Sequence, residues 1–191
     1  MIVVYKKFFW MLGVTILFCF SASFVWGLEY KELVKRDGLY YEKFTDVPFT
    51  GKVNGKKQGK IKKGKKEGFW IDDTNSILGV WKGNYKNGYR HGSWVNYHQN
   101  GQLQRKGSYN HGHPMGIWTT YHENGAVYET GEIRYGYKYG NWSMYDYNGI
   151  LYSEGSFKKS KKYGKWFFYN KDGTVNKIKT GIYRNNKKVS D

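Results

Sequence analysis

The stretch Gly92-Ser93-Trp94-Val95-Asn96-Tyr97-His98-Gln99-Asn100-Gly101-Gln102-Leu103 decides the fold of this chain, because it comes back. Its frame falls on Gly116, Trp118, Tyr121, Asn124, Gly125 and Val127, then on Gly140, Trp142, Tyr145, Asn148, Gly149 and Leu151. Trp70, Trp94, Trp118, Trp142 and Trp166 stand 24 residues apart. Gly83, Gly107 and Gly131 keep the same period, with Tyr85, Tyr109 and Ile133 two places on, and Gly155 continues it. A period between about 20 and 50 residues is the mark of a stacked-repeat architecture, in which each unit buries its apolar face on the next.

Glycine recurs too densely between Gly83 and Gly173 for helices, since each glycine inside a helix costs ~1 kcal/mol relative to alanine. The segments between glycines are aromatic and β-branched, as strands prefer. Asn-Gly at 87-88, 100-101, 124-125 and 148-149, with Asp172-Gly173 in the same frame, predicts type I′ hairpin turns. Counting outward from a two-residue turn at 100-101 sets His98 against Leu103, Asn96 against Arg105 and Trp94 against Gly107. The same count sets Trp118 against Gly131 and Trp142 against Gly155, so each glycine offers a notch that an indole covers. Alternation places Gly92, Trp94, Leu103 and Tyr109 on one face and Val95 and Tyr97 on the other. The predicted fold is all-β, an elongated single-layer antiparallel β-meander of 24-residue β-hairpin repeats over residues 51–191. A Trp ladder lines one face and a Tyr ladder the other.

Both ends of the array are less regular. Asp73 stands where Tyr is expected and Ser76-Ile77 replaces Asn-Gly, which predicts a weakly specified first copy. The Gly155 to Gly181 interval is two residues longer than the period, which predicts a bulge that takes Trp166 out of register with its glycine. Atypical terminal repeats are expected as caps.

Residues 1–27 read as a signal peptide: Lys6 and Lys7 precede an apolar run from Phe8 to Phe20, then Ser21-Ala22-Ser23 and Gly27. An inner-membrane anchor formed by residues 8–27 is the alternative. Phe18 before Cys19 argues against lipidation. The only cysteine, Cys19, leaves with the signal, so the exported chain has no disulfide and no thiol chemistry. Residues 28–50 form a lead-in to the array. The expected location is the periplasm, the cell envelope or the medium.

The formal net charge is +17, and the excess is clustered. Eight lysines lie between Lys52 and Lys66, and Lys158, Lys159, Lys161, Lys162 and Lys165 form a second group. Lysines of this kind keep sheet edges soluble. The functional alternative is contact with an anionic partner, carried by Lys60, Lys62, Lys63 and Lys65 and extending to lipid or polysaccharide. Export makes nucleic acid an improbable target.

Candidate chemistry dissolves on inspection. Gly59 to Lys66 approaches a phosphate-binding loop, but Lys66 stands where the hydroxyl belongs and both glycines belong to the repeat. His111 and His113 could ligate a metal, yet they fall at hairpin tips opposite the end carrying His98 and His122. Asp72 and Asp73 are adjacent and face opposite ways on a strand. No catalytic, metal or cofactor residue is assigned, and the chain is read as non-enzymatic.

The unit Gly-x-Tyr-x-x-Gly-x-x-x-Gly-x-Trp-x-x-Tyr-x-x-Asn-Gly-x-Leu resembles the MORN repeat in its variant form, over about Asp37 to Tyr183. Gly38-Leu39-Tyr40-Tyr41 with Pro48-Phe49-Thr50-Gly51 is similar to the lead-in of bacterial proteins labelled YwqK-family antitoxins. The first resemblance implies a single-layer sheet with interaction or scaffold roles, and membrane association is suggested for some such arrays. The second implies neutralisation of a toxin by binding. The expectation is an exported protein that binds a protein or envelope component through its sheet surface, the alternative being an immunity or antitoxin protein. Fold alone does not choose between them.

Overall fold

The computed structural model describes residues 27–73 and 79–191. Apart from Gly27, the signal or anchor segment lies outside the described residues, and so does Ser76-Ile77. Among the described residues no helix is long and apolar enough to cross a membrane. The one helical element among the described residues is a 3-10 turn, Tyr30–Glu32.

Leu28–Glu29 (β1) pairs in parallel with Gly51–Asn54 (β4), while Leu33–Arg36 (β2) and Leu39–Glu42 (β3) form a separate hairpin. From β4 the chain meanders antiparallel through Lys57–Lys62 (β5), Lys65–Asp73 (β6), Val80–Lys86 (β7), Tyr89–Tyr97 (β8) and Leu103–Asn110 (β9). It continues through His113–Tyr121 (β10), Val127–Arg134 (β11), Tyr137–Tyr145 (β12), Leu151–Lys158 (β13), Lys161–Phe168 (β14), Gly181–Arg184 (β15) and Lys187–Ser190 (β16). Fourteen strands make one sheet, which at the usual strand spacing is about 60 Å across its strands.

The counted register holds at its centre. Trp94 pairs with Gly107, Trp118 with Gly131 and Trp142 with Gly155. The indoles nonetheless lie the other way. A Cβ on Gly131 would sit 2.3 Å from Trp142, and one on Gly107 would sit 2.1 Å from Trp118. Trp118 therefore covers Gly107 on the preceding strand, and the expectation that it covers Gly131 is corrected. Two local features aim the ladder indoles this way, the second of them missing at Trp118. Gly92, Gly116 and Gly140 adopt φ of 68°, 74° and 62°, making a bulge just before each Trp that re-aims the side chain. The indole N–H then donates to a carbonyl on the strand it crosses: Trp70 to Lys60 (3.1 Å), Trp94 to Asn84 (3.0 Å), Trp142 to Glu132 (3.1 Å) and Trp166 to Ser156 (2.9 Å).

The two long edges of the sheet use different turns. Asn87-Gly88 is the expected two-residue turn with both φ positive. At 100-101, 124-125 and 148-149 only the glycine is left-handed. The Gly101 amide donates to His98 and the His98 amide to Gln102, so this is a type I turn followed by a glycine bulge. His98 accordingly does not pair with Leu103, whose partner is Tyr97. The other type I′ turns fall at Lys63-Gly64, His111-Gly112, Tyr135-Gly136, Lys159-Ser160 and Asn185-Asn186, flanked by pairs such as Asn110 with His113 and Arg134 with Tyr137.

Neither end is as irregular as its sequence. In the first copy Gly59 lies under Trp70, and Lys60 pairs with Glu67 across a regular hairpin. At the other end Trp166 keeps its pairing with Gly181. The two extra residues are absorbed in the loop between β14 and β15, where the Gly173 amide donates to Asn170 and the Thr180 amide to Asn176. The lead-in caps the Trp face: Tyr30, Leu33, Tyr40 and Phe49 pack on Val53, Ile61 and Trp70.

Candidate interaction surfaces

The Trp face is closed by its own side chains. All five ladder indoles are 2% exposed or less, and between them stand Tyr85, Tyr109, Ile133 and Phe157. Edge-to-face contacts link its aromatic members on either side of Ile133, such as Tyr85 to Trp94 at 5.1 Å and Phe157 to Trp166 at 4.9 Å. Over each indole lies a cation from four positions earlier in the same strand: Lys66 on Trp70 (4.0 Å), Arg90 on Trp94 (4.4 Å), Lys138 on Trp142 (4.2 Å) and Lys162 on Trp166 (4.6 Å). The 24-residue period carries this row of cations as plainly as it carries the Trp, and sequence reading had not separated it from the general lysine excess. In the third repeat Pro114 takes the place of the cation, and Arg105 covers Trp118 from the neighbouring strand at 4.6 Å.

At the first repeat the cation is paired. Lys66 Nζ donates to Asp72 at 2.8 Å, both side chains are buried, and the Tyr85 hydroxyl donates to the other Asp72 oxygen at 2.9 Å. Burial pushes the Lys66 ammonium below the usual lysine range, against the pull of Asp72. Burial, aided by the charge of Asp72, raises the Tyr85 phenol above its usual range. The segment from Gly59 to Lys66 is thus the β5–β6 hairpin, its first glycine filled by an indole and its last lysine ion-paired, with no phosphate cradle.

The opposite face carries the Tyr ladder and is half open. Lys82 stacks on Tyr97 (4.8 Å), Lys106 on Tyr121 (5.5 Å), and the Tyr169 hydroxyl donates to Glu154 (2.7 Å).

The turns of one long edge are basic, whereas the other edge carries lysines only in its outer loops, at Lys56, Lys171, Lys177 and Lys179. The type I′ turns read Lys62-Lys63-Gly64-Lys65, Lys86-Asn87-Gly88-Tyr89, Asn110-His111-Gly112-His113, Arg134-Tyr135-Gly136-Tyr137, Lys158-Lys159-Ser160-Lys161 and Arg184-Asn185-Asn186-Lys187, with no acidic residue among them. The central loops of the other edge, 98–102, 122–126 and 146–150, hold Glu123 and Asp146 and no Lys or Arg. Of the four lysines singled out in sequence, Lys62, Lys63 and Lys65 meet at one type I′ turn, while Lys60 lies back on β5 between Lys52 and Glu67. The second lysine group, Lys158 to Lys161, sits on the same edge at the far end. His111 and His113 occupy this edge, and His98 and His122 the opposite one, where their Nε2 atoms meet the carbonyls of Tyr121 and Tyr145 at 3.1 Å. The histidines do not converge.

Residues 90–111, 116–135 and 138–159 each match the family model described as the MORN repeat variant. Three consecutive repeats of the array, within residues 90–159, are thus matched as MORN repeat variants. The matched segments run from Arg90 of β8 to Lys159 beyond β13; each holds the bulge glycine and the buried Trp, and the first and third also hold the cation, Arg90 and Lys138. No curated protein matches the chain.

Proposed function

We propose that this MORN-type array is an exported, non-enzymatic binding protein whose partner, a protein or an envelope component, docks on the outer surface of the sheet. The observation that carries the reading is the basic edge: its six consecutive turns hold basic and neutral residues only. A random scatter of solubilising lysines would not keep acidic residues out of all six turns of one edge while leaving the central loops of the other without a Lys or Arg. The Trp face is committed to holding the sheet together, which leaves the Tyr face and the basic edge to meet a partner. Long-range attraction to such an edge steers an anionic surface before contact.

The test is capture of partners from the envelope of the native host at rising salt, with wild type beside a variant carrying Lys60→Gln, Lys62→Gln, Lys63→Gln and Lys65→Gln. Screening shortens the reach of exposed charge from ~10 Å at 0.1 M to ~3 Å at 1 M, so specific capture should fall with salt and in the variant. Unchanged capture in the variant assigns those lysines to solubility alone. Recovery of one toxin in stoichiometric amount would replace the envelope reading with the immunity reading. An intact Met1 on soluble cytosolic protein, seen by mass spectrometry, would overturn export.

A further inference from the structure

The basic edge has a second pattern. The residue that opens the strand after each of the first five type I′ turns is, in successive repeats, Lys65, Tyr89, His113, Tyr137 and Lys161, and Lys187 follows the sixth. Three rings stand in the middle and a lysine at either end. All five are exposed, Tyr89 at 58% and Tyr137 at 53%. Equivalent positions lie two strands apart, so the row advances by about 9.5 Å per step and spans about 38 Å in all. Lys65 leans over the turn at Gly88 and Tyr89 over the turn at Gly112, where an added Cβ would lie 3.7 Å and 3.3 Å from them. The His113 ring meets Tyr135 edge-on at 6.4 Å.

Tyr135 extends the aromatic surface of this edge beside His113. It sits in the left-handed region at φ 49° and is 80% exposed. A bulky side chain is disfavoured there relative to Asn or Gly, and a ring that exposed repays little by packing. The nearest carboxylates are already occupied: Glu67 accepts the Asn87 amide and Glu132 is paired with Arg134.

Resting on the reading of this chain as a binding protein, we infer that the edge is a binding site for a linear acidic polysaccharide laid across the strands, its rings on Tyr89, His113 and Tyr137 and its acidic groups at Lys65 and Lys161. Pyranose rings present flat C–H faces to aromatic side chains, and two equatorially linked sugars advance by about one step of this row. An acidic peptide in β conformation repeats its side chains every two residues, about 6.8 Å, and falls out of step. A lipid headgroup would use the lysines and leave the three rings without a partner.

The experiment titrates the full chain, as isolated from its host, with β-1,4-linked oligomannuronates of increasing length. Poly-L-glutamate of equal charge and vesicles containing anionic phospholipid are the comparisons. Affinity should rise with length until the oligosaccharide spans the row, then level off. Tyr89→Ala with Tyr137→Ala should weaken binding at least tenfold at unchanged salt dependence, while Lys65→Gln with Lys161→Gln should flatten the salt dependence. An unchanged thermal midpoint verifies that these exposed substitutions leave the sheet intact. Equal affinity for poly-L-glutamate, preference for the vesicles, or wild-type affinity in the tyrosine variant each overturns the assignment. A chain that binds no oligomannuronate but still captures its envelope partner loses this inference and keeps the binding role.

Discussion

Arg105 stacks on Trp118, and the two share a defect: the Arg105 Nε and the Trp118 indole N–H are both buried without a hydrogen-bond partner. The cause is local. Pro114 removes the same-strand cation, and the β9–β10 ladder is interrupted between Met115 and Thr119. The third repeat is therefore held by indole contact area with less polar support than its neighbours.

Trp94 and Trp118 should consequently respond differently to the same substitution. Trp94→Phe removes a hydrogen bond to the Asn84 carbonyl, whereas Trp118→Phe removes an unpartnered donor. Trp94→Phe should cost about 1 kcal/mol more. Truncation to Ala should cost about 3 to 5 kcal/mol at either site, because the indole volume is lost. Urea unfolding curves followed by Trp fluorescence give both differences, and equal costs for the two Phe variants would contradict this account.

Gly131→Ala places a methyl carbon 2.3 Å from Trp142, an indole with no free space to retreat into. Overpacking of this kind costs about 1 to 3 kcal/mol. The lost stability should come with a shift in Trp fluorescence, since the displaced indole becomes wetter. Gly136→Ala, where an added Cβ meets nothing within 4 Å, should leave the fluorescence unmoved.

Asp72→Asn strands the Lys66 ammonium on the Trp face. Removing one partner of a buried pair costs about 3 to 5 kcal/mol, whereas replacing both by apolar side chains of similar size is often near neutral. Asp72→Leu combined with Lys66→Met should thus recover most of what Asp72→Asn loses. Thermal melts of the single and double variants check the order.

Alkali should unfold the chain in a way that its phenols report. Burial lifts Tyr30 and Tyr85 above the usual phenol range and Tyr152 to about 12. A raised folded value contributes stability that is complete below the unfolded phenol value of about 10 and is lost as pH climbs through the folded values. Lys66, lowered by burial, acts in the opposite sense, its cost easing as pH rises toward the unfolded lysine value. The thermal midpoint should hold or rise slightly up to about pH 10 and fall beyond it. Phenolate absorbance should show a late group of tyrosines that ionises with unfolding, and a single step near pH 10 would contradict the burial described.

The sequence by itself determined the meander. The 24-residue return of Trp, Gly and Asn-Gly specified strands, hairpins and the pairing of Trp94 with Gly107, because side-chain alternation and turn chemistry are local properties of the chain. Tertiary structure decided which way each indole lies, since Trp94 has a glycine beside it on both sides, Gly83 and Gly107, and only the bulge at Gly92 and the Asn84 carbonyl select one. It also decided which Asn-Gly pairs form type I′ turns. Asn87-Gly88 and Asn100-Gly101 are alike as dipeptides, and the twist and register of the strands they join set them apart. His111-Gly112 and Tyr135-Gly136 take the type I′ shape against local preference for the same reason. The basic edge was hidden in the sequence because its residues are dispersed over six turns, and only antiparallel pairing brings every second turn to the same side.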